Sequence, residues 1–122
     1  MNDVHGAGDD GELSPFCTHF HHAIEVIGRR WTGAILRALL TGTSRFSEVG
    51  EIVPGLSDRL LSERLKELEA EGIVTRIVIP ETPVRIEYRL TEKGRDLEPA
   101  MRVLAEWAER WAPVEQDALA TG

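Results

Sequence analysis

The hydrophobic periodicity of the chain changes at Gly72, and this change most limits the folds that the chain can adopt. In GLSDRLLSERLKELEAEG (residues 55–72) leucines recur at the three- and four-residue spacing of a helix. In IVTRIVI (73–79) and VRIEYRL (84–90) apolar and polar residues alternate, as they do in strands. The connection between them, PETP (80–83), holds two prolines that stiffen it and keep it out of regular pairing. The pattern predicts a helix followed by a β-hairpin.

The helix within residues 55–72 has recognisable start and stop signals. Ser57 is a residue type that favours the N-cap, and Leu56 can pack against Leu61 across it as a hydrophobic staple. Gly72 can adopt the left-handed conformation that ends many helices. These signals predict a helix over about residues 58–71.

This helix has one apolar face and one polar flank. The apolar arc spans roughly 140° at 100° per residue, and it contains Leu60, Leu61, Leu65 and Leu68. Arg64 falls inside the arc, so we expect its stem to pack there while its guanidinium binds an acid or a phosphate. The opposite flank exposes Arg59, Ser62, Glu63 and Lys66.

Glycine and proline divide the rest of the chain into further helices. Apolar spacing predicts a first helix over residues 15–27, a second near residues 31–41 and a short third that starts near Ser44. Thr91 is expected to cap a final helix, in which Pro99 either makes a kink or marks the true start.

Three helices, a fourth with an open polar flank and a hairpin follow one another in the order of a winged helix-turn-helix. We therefore predict an α+β fold, mainly α, with a two-stranded wing and a C-terminal dimerisation helix. A length of 122 residues allows one domain. We expect an acidic, disordered tail over residues 1–14, the winged helix-turn-helix domain with its dimerisation helices over 15–112, and a short tail over 113–122.

The formal net charge of −7 is unevenly distributed. Residues 1–14 hold four acidic side chains and no Lys or Arg, whereas residues 29–95 hold twelve basic and ten acidic side chains. The body can therefore present a basic face to a nucleic acid. The sequence has no long apolar run, no signal peptide and one cysteine, which indicates a soluble, cytoplasmic protein without a disulfide framework.

The polar flank of the fourth helix fits a contact with DNA. A major groove about 12 Å wide admits one helix, whose free flank and first turn can reach base edges. Backbone N–H groups at the helix start can also hold a phosphate, and basic residues beside the wing tip and at the start of the third helix are expected to reach the DNA backbone. A face that is merely solvated is the alternative. The predicted DNA-binding residues are Arg45, Ser57, Asp58, Arg59, Ser62, Glu63, Lys66 and Arg85.

The stretch from Cys17 to Trp111 resembles the HxlR-type winged-helix regulators of bacteria, which are related in fold to the MarR regulators. The resemblance rests on a cysteine fourteen residues before the Trp of IGRRWTGAILRALL, and on RFSEV, PGLSDRLLSERLKELEAEGIVTR, PETPVRIEYRLTEKG and AEWAERW. It implies a homodimer that binds operator DNA, often as a repressor of a neighbouring gene. Asp58 and Glu63 stand where the family often has Gln. A carboxylate accepts from cytosine N4 but cannot replace Gln on adenine, so base preference is expected to differ.

Cys17 is the candidate sensor, because the chain most resembles the branch of the family that uses an N-terminal cysteine to sense quinones, aldehydes or disulfide stress. Its place near a helix start, with His21 four residues further on, favours the reactive thiolate. A small buried hydrophobic residue is the alternative. The second, C-terminal cysteine of some relatives is missing, which leaves alkylation, pairing of two Cys17 thiols or a mixed disulfide.

Three histidines near Cys17 raise the alternative of a metal-responsive regulator. His19, His21 and His22 are spread around a helix, so at most two of them can join Cys17 on one ion. We predict no resident metal and no cofactor. Because no nucleophile, base and oxyanion site converge in the sequence, we also predict that the protein is not an enzyme. The chain's acidity keeps open a winged-helix module that contacts only proteins.

A chain of this size has little core left for a terminal helix, so its tryptophans are expected at a subunit interface. The predicted interface consists of Phe20, Ile24, Met101, Leu104, Trp107 and Trp111. The predicted function is a homodimeric repressor of a pseudo-palindromic operator, whose DNA binding changes when an electrophile or oxidant modifies Cys17. No membrane partner is expected.

Overall fold

The computed structural model describes residues 13–111, which form six helices and one two-stranded antiparallel sheet. Their order is α1 (Thr18–Ile27), α2 (Thr32–Leu40), α3 (Phe46–Ile52), α4 (Asp58–Ala70), β1 (Val74–Ile79), β2 (Arg85–Leu90), α5 (Glu92–Arg95) and α6 (Glu98–Trp111). The predicted winged helix-turn-helix, mainly α with a two-stranded wing, is confirmed. Nearly all of the predicted tail 1–14, and all of the tail 113–122, lie outside the described residues.

One apolar core joins α2, α3, α4 and the base of the wing. Its buried members are Ile35, Leu36, Ala38, Leu39, Val49, Val53, Leu56, Leu61, Leu65, Leu68, Ile73, Val74 and Tyr88. In contrast, no residue of α1 or α6 is buried. Within residues 13–111 no helix is both long and apolar enough to cross a membrane.

The fourth helix has the ends that the sequence predicts. The Ser57 hydroxyl accepts a hydrogen bond from the Leu60 backbone N–H at 3.1 Å, and Gly72 has a φ of +78°. Leu61, Leu65 and Leu68 are completely or almost completely buried. Burial of each such leucine contributes roughly 1.5–3 kcal/mol, so one stripe of α4 is fixed to the core while its other flank stays open.

The predicted start of the first helix is wrong, whereas the third helix begins close to its predicted start. The first helix begins at Thr18 rather than near residue 15, and Cys17 is its N-cap residue in an extended conformation. Just before it, the Ser14 hydroxyl donates to the Phe16 carbonyl at 3.2 Å. The N-cap residue of the third helix is Arg45, and the preceding Ser44 carbonyl accepts a bond from the Tyr88 N–H at 2.8 Å.

The predicted final helix is two helices. The Thr91 hydroxyl accepts from the Gly94 N–H at 3.1 Å and so caps the short α5. Pro99 is the second residue of α6, where its missing N–H has no helical partner to lose. Pro99 therefore marks the true start of the long helix, one of the two predicted outcomes.

The wing has the two predicted strands, but the burial of β2 does not follow the predicted alternation, because Glu87 is buried along with Tyr88. Its strands pair from Val74 opposite Leu90 to Ile79 opposite Arg85. On the edge of β2, a bridge between Arg45 and Glu87 adds the residues just before α3 to the sheet. The wing is thus hydrogen-bonded directly to the start of the helix-turn-helix.

Candidate DNA interface and thiol site

The turn between α3 and α4 is held in place by an aromatic ring. Gly55 has a φ of +84°, and a Cβ there would lie 3.3 Å from the Trp31 ring. Trp31 itself has a positive φ of 79° and is the N-cap residue of α2. Only glycine adopts such a φ without strain while leaving room for the ring. The Trp31 indole therefore packs against the turn that sets the direction of α4.

The open flank of α4 carries the predicted recognition residues on one side of the helix. Arg59, Glu63 and Lys66 are exposed, and Ser62 is half-buried. The Arg59 Nε lies 3.4 Å from a Glu63 carboxylate oxygen, so this arginine is already paired within the helix. Lys66 forms no ion pair with any residue in the described part of the chain.

The start of α4 is less open to an anion than the sequence suggests. The Ser57 hydroxyl oxygen already accepts the Leu60 N–H, and Asp58 places a carboxylate in the first turn. A carboxylate is favourable there because it complements the helix dipole. The same charge repels a phosphate, so Asp58 leaves the helix start better suited to a hydrogen-bond donor on a base.

The wing brings together two arginines that the sequence places far apart. A cleft of about 360 Å³ between α3 and the wing tip is lined by both Arg45 and Arg85. Arg45 forms no ion pair with other described residues. Arg85 lies between two acids, with its guanidinium 3.4 Å from Glu81 and 3.2 Å from Glu87.

The acidic partners of Arg85 form a cluster that the sequence reading missed. The Glu87 side chain is only 12% exposed and also accepts two hydrogen bonds from Arg89, at 2.8 and 3.1 Å. The signal was the alternation of Arg85, Glu87 and Arg89, which places all three on one face of β2. The alternation alone did not predict that Glu87 pairs with both arginines.

Arg64 contacts the protein itself. Its side chain is 11% exposed, its Nε donates to the Arg30 carbonyl at 2.9 Å, and a terminal nitrogen donates to Glu67 at 3.2 Å. Arg29 lies 3.3 Å from the same Glu67 carboxylate. Of the two partners expected for Arg64, an acid or a phosphate, the structure contains the acid.

The backbone joins Cys17 to His21 at the start of α1. The thiol residue is half-buried at the N-cap of α1, and its carbonyl accepts a bond from the His21 N–H at 2.9 Å. The His21 imidazole contacts the Phe16 ring, with centroids 5.5 Å apart, and lies 3.5 Å from Glu25. The observed link from His21 to Cys17 therefore runs through the backbone.

The neighbouring histidines do not gather around one point. His22 lies 3.0 and 3.2 Å from the two carboxylate oxygens of Glu71, which ties α1 to the end of α4. Among residues 13–111 there is no group of three or more His, Cys, Asp or Glu side chains that could hold an ion. The metal alternative thus finds no three-ligand site in that part of the protein.

Exposed apolar side chains lie on α1 and α6, the two helices without buried residues. Most of the predicted interface belongs to this set: Phe20, Ile24, Leu104, Trp107 and Trp111. Met101 differs, because it is half-buried and packs against the core. Val103 is an exposed residue on α6 that the sequence reading omitted.

Comparison with known proteins identifies the family. A family model described as HxlR-like helix-turn-helix matches residues 26–116. The uncharacterized HTH-type transcriptional regulator YvaP of Bacillus subtilis is 52% identical over 98 residues, covering 80% of this chain and 91% of YvaP. The HTH-type transcriptional regulator YodB of the same organism is 43% identical over 95 residues, covering 78% of this chain and 85% of YodB.

Solved structures agree with this assignment. Quinone-bound YodB from B. subtilis superposes with a TM-score of 0.68 at 38% identity, over 79% of this chain and 100% of that chain. The redox regulator HypR in its oxidized form gives a TM-score of 0.73 at 40% identity, over 80% and 100%. The chain therefore belongs to the HxlR family of helix-turn-helix transcriptional regulators.

Proposed function

We propose that this protein is a homodimeric repressor that inserts α4 into the major groove of a pseudo-palindromic operator. The observation that carries the proposal is the division of α4 into a buried leucine stripe and an open flank of Arg59, Ser62, Glu63 and Lys66. A helix held by one face with polar groups on the other has the geometry for reading base edges.

The residues of this surface have different expected roles. Lys66 and Arg45, which form no ion pair within residues 13–111, are the cations best placed to neutralise phosphates. Glu63 can accept from a cytosine amino group. Its pairing with Arg59 holds both side chains near the groove face of the helix.

The apolar faces of α1 and α6 support a symmetric dimer. Trp107 and Trp111 are 54% and 67% exposed, which is unfavourable for residues of this size unless a partner covers them. A two-fold dimer presents two copies of α4 to half-sites roughly 34–36 Å apart. The operator should accordingly contain an inverted repeat.

We propose further that modification of Cys17 changes operator affinity. Cys17 is the only cysteine, so its chemistry is limited to an adduct, a bond between the Cys17 residues of two subunits, or a mixed disulfide. The relatives solved as quinone-bound YodB and oxidized HypR support this proposal. Cys17 is the N-cap residue of α1, one of the two helices assigned to the dimer interface, so an adduct there can alter the spacing of the two α4 helices.

The test uses DNA from upstream of a divergently transcribed neighbouring gene. Binding is titrated with and without diamide, a quinone or an aldehyde, in the wild type and in Cys17→Ser. A coupling of about 1–3 kcal/mol predicts a roughly 5- to 150-fold loss of wild-type affinity and little change in Cys17→Ser. An equal response of both proteins would refute the thiol mechanism, and a response to Zn²⁺ alone would favour the metal alternative.

A further inference from the structure

The strongest unexplained feature of the DNA-facing surface is the arrangement of acids around Arg85. An arginine beside a wing tip can bind a phosphate without first breaking other contacts only if it is not already paired with an acid. Here Arg85 is 29% exposed and has carboxylates on both sides, Glu81 at 3.4 Å and Glu87 at 3.2 Å. The unbound protein therefore holds its wing cation against acids of the wing itself.

The two acids hold Arg85 in different ways. Glu87 is nearly buried and is already neutralised by two hydrogen bonds from Arg89 to one of its oxygens. Removal of Arg85 would thus leave no buried carboxylate without a counter-charge, so Arg85 can be released from Glu87 at low cost. The Glu81 side chain, at 49% exposure on the wing tip, forms an ion pair with Arg85 and with no other described residue.

The Arg85 guanidinium is also incompletely satisfied in this position. Its buried Nε is within ion-pair distance of Glu87 but makes no hydrogen bond to any described residue. A buried donor without a hydrogen bond is unfavourable. A better acceptor, such as a phosphate oxygen, can therefore compete with the two carboxylates for the Arg85 guanidinium.

From these contacts we infer that Glu81 limits the sequence-independent DNA affinity of the wing by holding Arg85, which exchanges Glu81 for a phosphate when DNA binds. Arg89 stays on Glu87 during the exchange and keeps the base of the wing neutral. Glu81 is thus a specificity-determining residue. It lowers the affinity for DNA of any sequence, so the preference for one sequence over another depends on the base-reading residues of α4. The inference rests on the proposed DNA binding.

The test measures binding to a mixed-sequence duplex of unrelated sequence, so it does not require the operator. Glu81→Gln removes the charge and keeps the side-chain size, and a partly exposed ion pair predicts an affinity gain of about two- to fivefold. The same substitution made in an Arg85→Ala background should give no gain. The matched control is Glu109→Gln, which makes the same charge change on an exposed position of α6 and should leave affinity unchanged.

The possible results distinguish a failure of this inference from a failure of the proposed DNA binding. A gain that persists in the Arg85→Ala background, or that Glu109→Gln reproduces, would show a general effect of net charge and overturn the inference. No gain in Glu81→Gln would overturn it as well. If the wild type binds neither this duplex nor its upstream DNA at any salt concentration, the proposed function itself has failed.

Discussion

Gly94 lies at the point where α5 meets the base of the wing, and replacing it with alanine should destabilise the protein strongly. A Cβ at this position would lie 2.3 Å from the Ile73 carbonyl oxygen and 3.0 Å from a methyl carbon of Leu90. The same carbonyl accepts a bond from the Thr91 N–H at 3.0 Å, while the Thr91 hydroxyl donates to the Gly72 carbonyl at 2.6 Å. A methyl group there must displace backbone rather than a flexible side chain.

The size of the effect follows from these contacts. Overpacking against backbone costs roughly 1–3 kcal/mol, and weakening the bond from the Thr91 N–H to the Ile73 carbonyl adds about 1 kcal/mol. Gly94→Ala should therefore lower the free energy of unfolding by roughly 2–4 kcal/mol, a large part of the about 5–15 kcal/mol available to a small domain. Urea unfolding followed by circular dichroism gives this difference directly.

The matched control is Gly33→Ala. Gly33 lies in α2 with no atom within 4 Å of the position its Cβ would take. Because alanine is about 1 kcal/mol more favourable than glycine inside a helix, this variant should be as stable as the wild type or more so. If the free energy of unfolding of Gly94→Ala lies within about 0.5 kcal/mol of the wild-type value, the described close packing between α5 and the wing base is wrong.

Two further predictions test the interface and the buried arginine. Trp107→Glu combined with Trp111→Glu should give monomers in sedimentation, since each indole buried by a partner contributes about 2–3 kcal/mol; an unchanged dimer would place the interface elsewhere. Arg64→Ala should lower the free energy of unfolding by roughly 1–3 kcal/mol through lost bonds to Arg30 and Glu67, measured in urea. The salt dependence of DNA binding should stay as in the wild type, and a flatter dependence would mean that Arg64 contacts phosphate.

Features fixed by neighbours in sequence were predictable. The Ser57 cap, the left-handed Gly72 and the positions of the two wing strands follow from local sequence signals, and each was read correctly. Pro99 was informative for the same reason, because its effect on a helix is local. These signals were enough to give the order of elements and hence the fold class.

Features that depend on distant parts of the chain were not predictable. The hydrogen bond from the Tyr88 N–H to the Ser44 carbonyl joins the wing to the start of α3, and no local signal indicates it. The acid that binds Arg64 was left open, because only the folded helix pairs it with Glu67 and the Arg30 carbonyl. The proximity of Arg45 and Arg85 at one cleft likewise depends on how the wing attaches to α3.

The most direct test of the central claim is the salt dependence of binding to the upstream DNA. Each phosphate neutralised by a cation should contribute about −0.9 to the slope of log K against log salt concentration. The account predicts a steep linear dependence for the wild type, and a slope flatter by about 0.9 in Lys66→Ala and in Arg45→Ala. Wild-type binding that does not respond to salt, with neither variant different from it, would contradict DNA recognition through α4 and the wing.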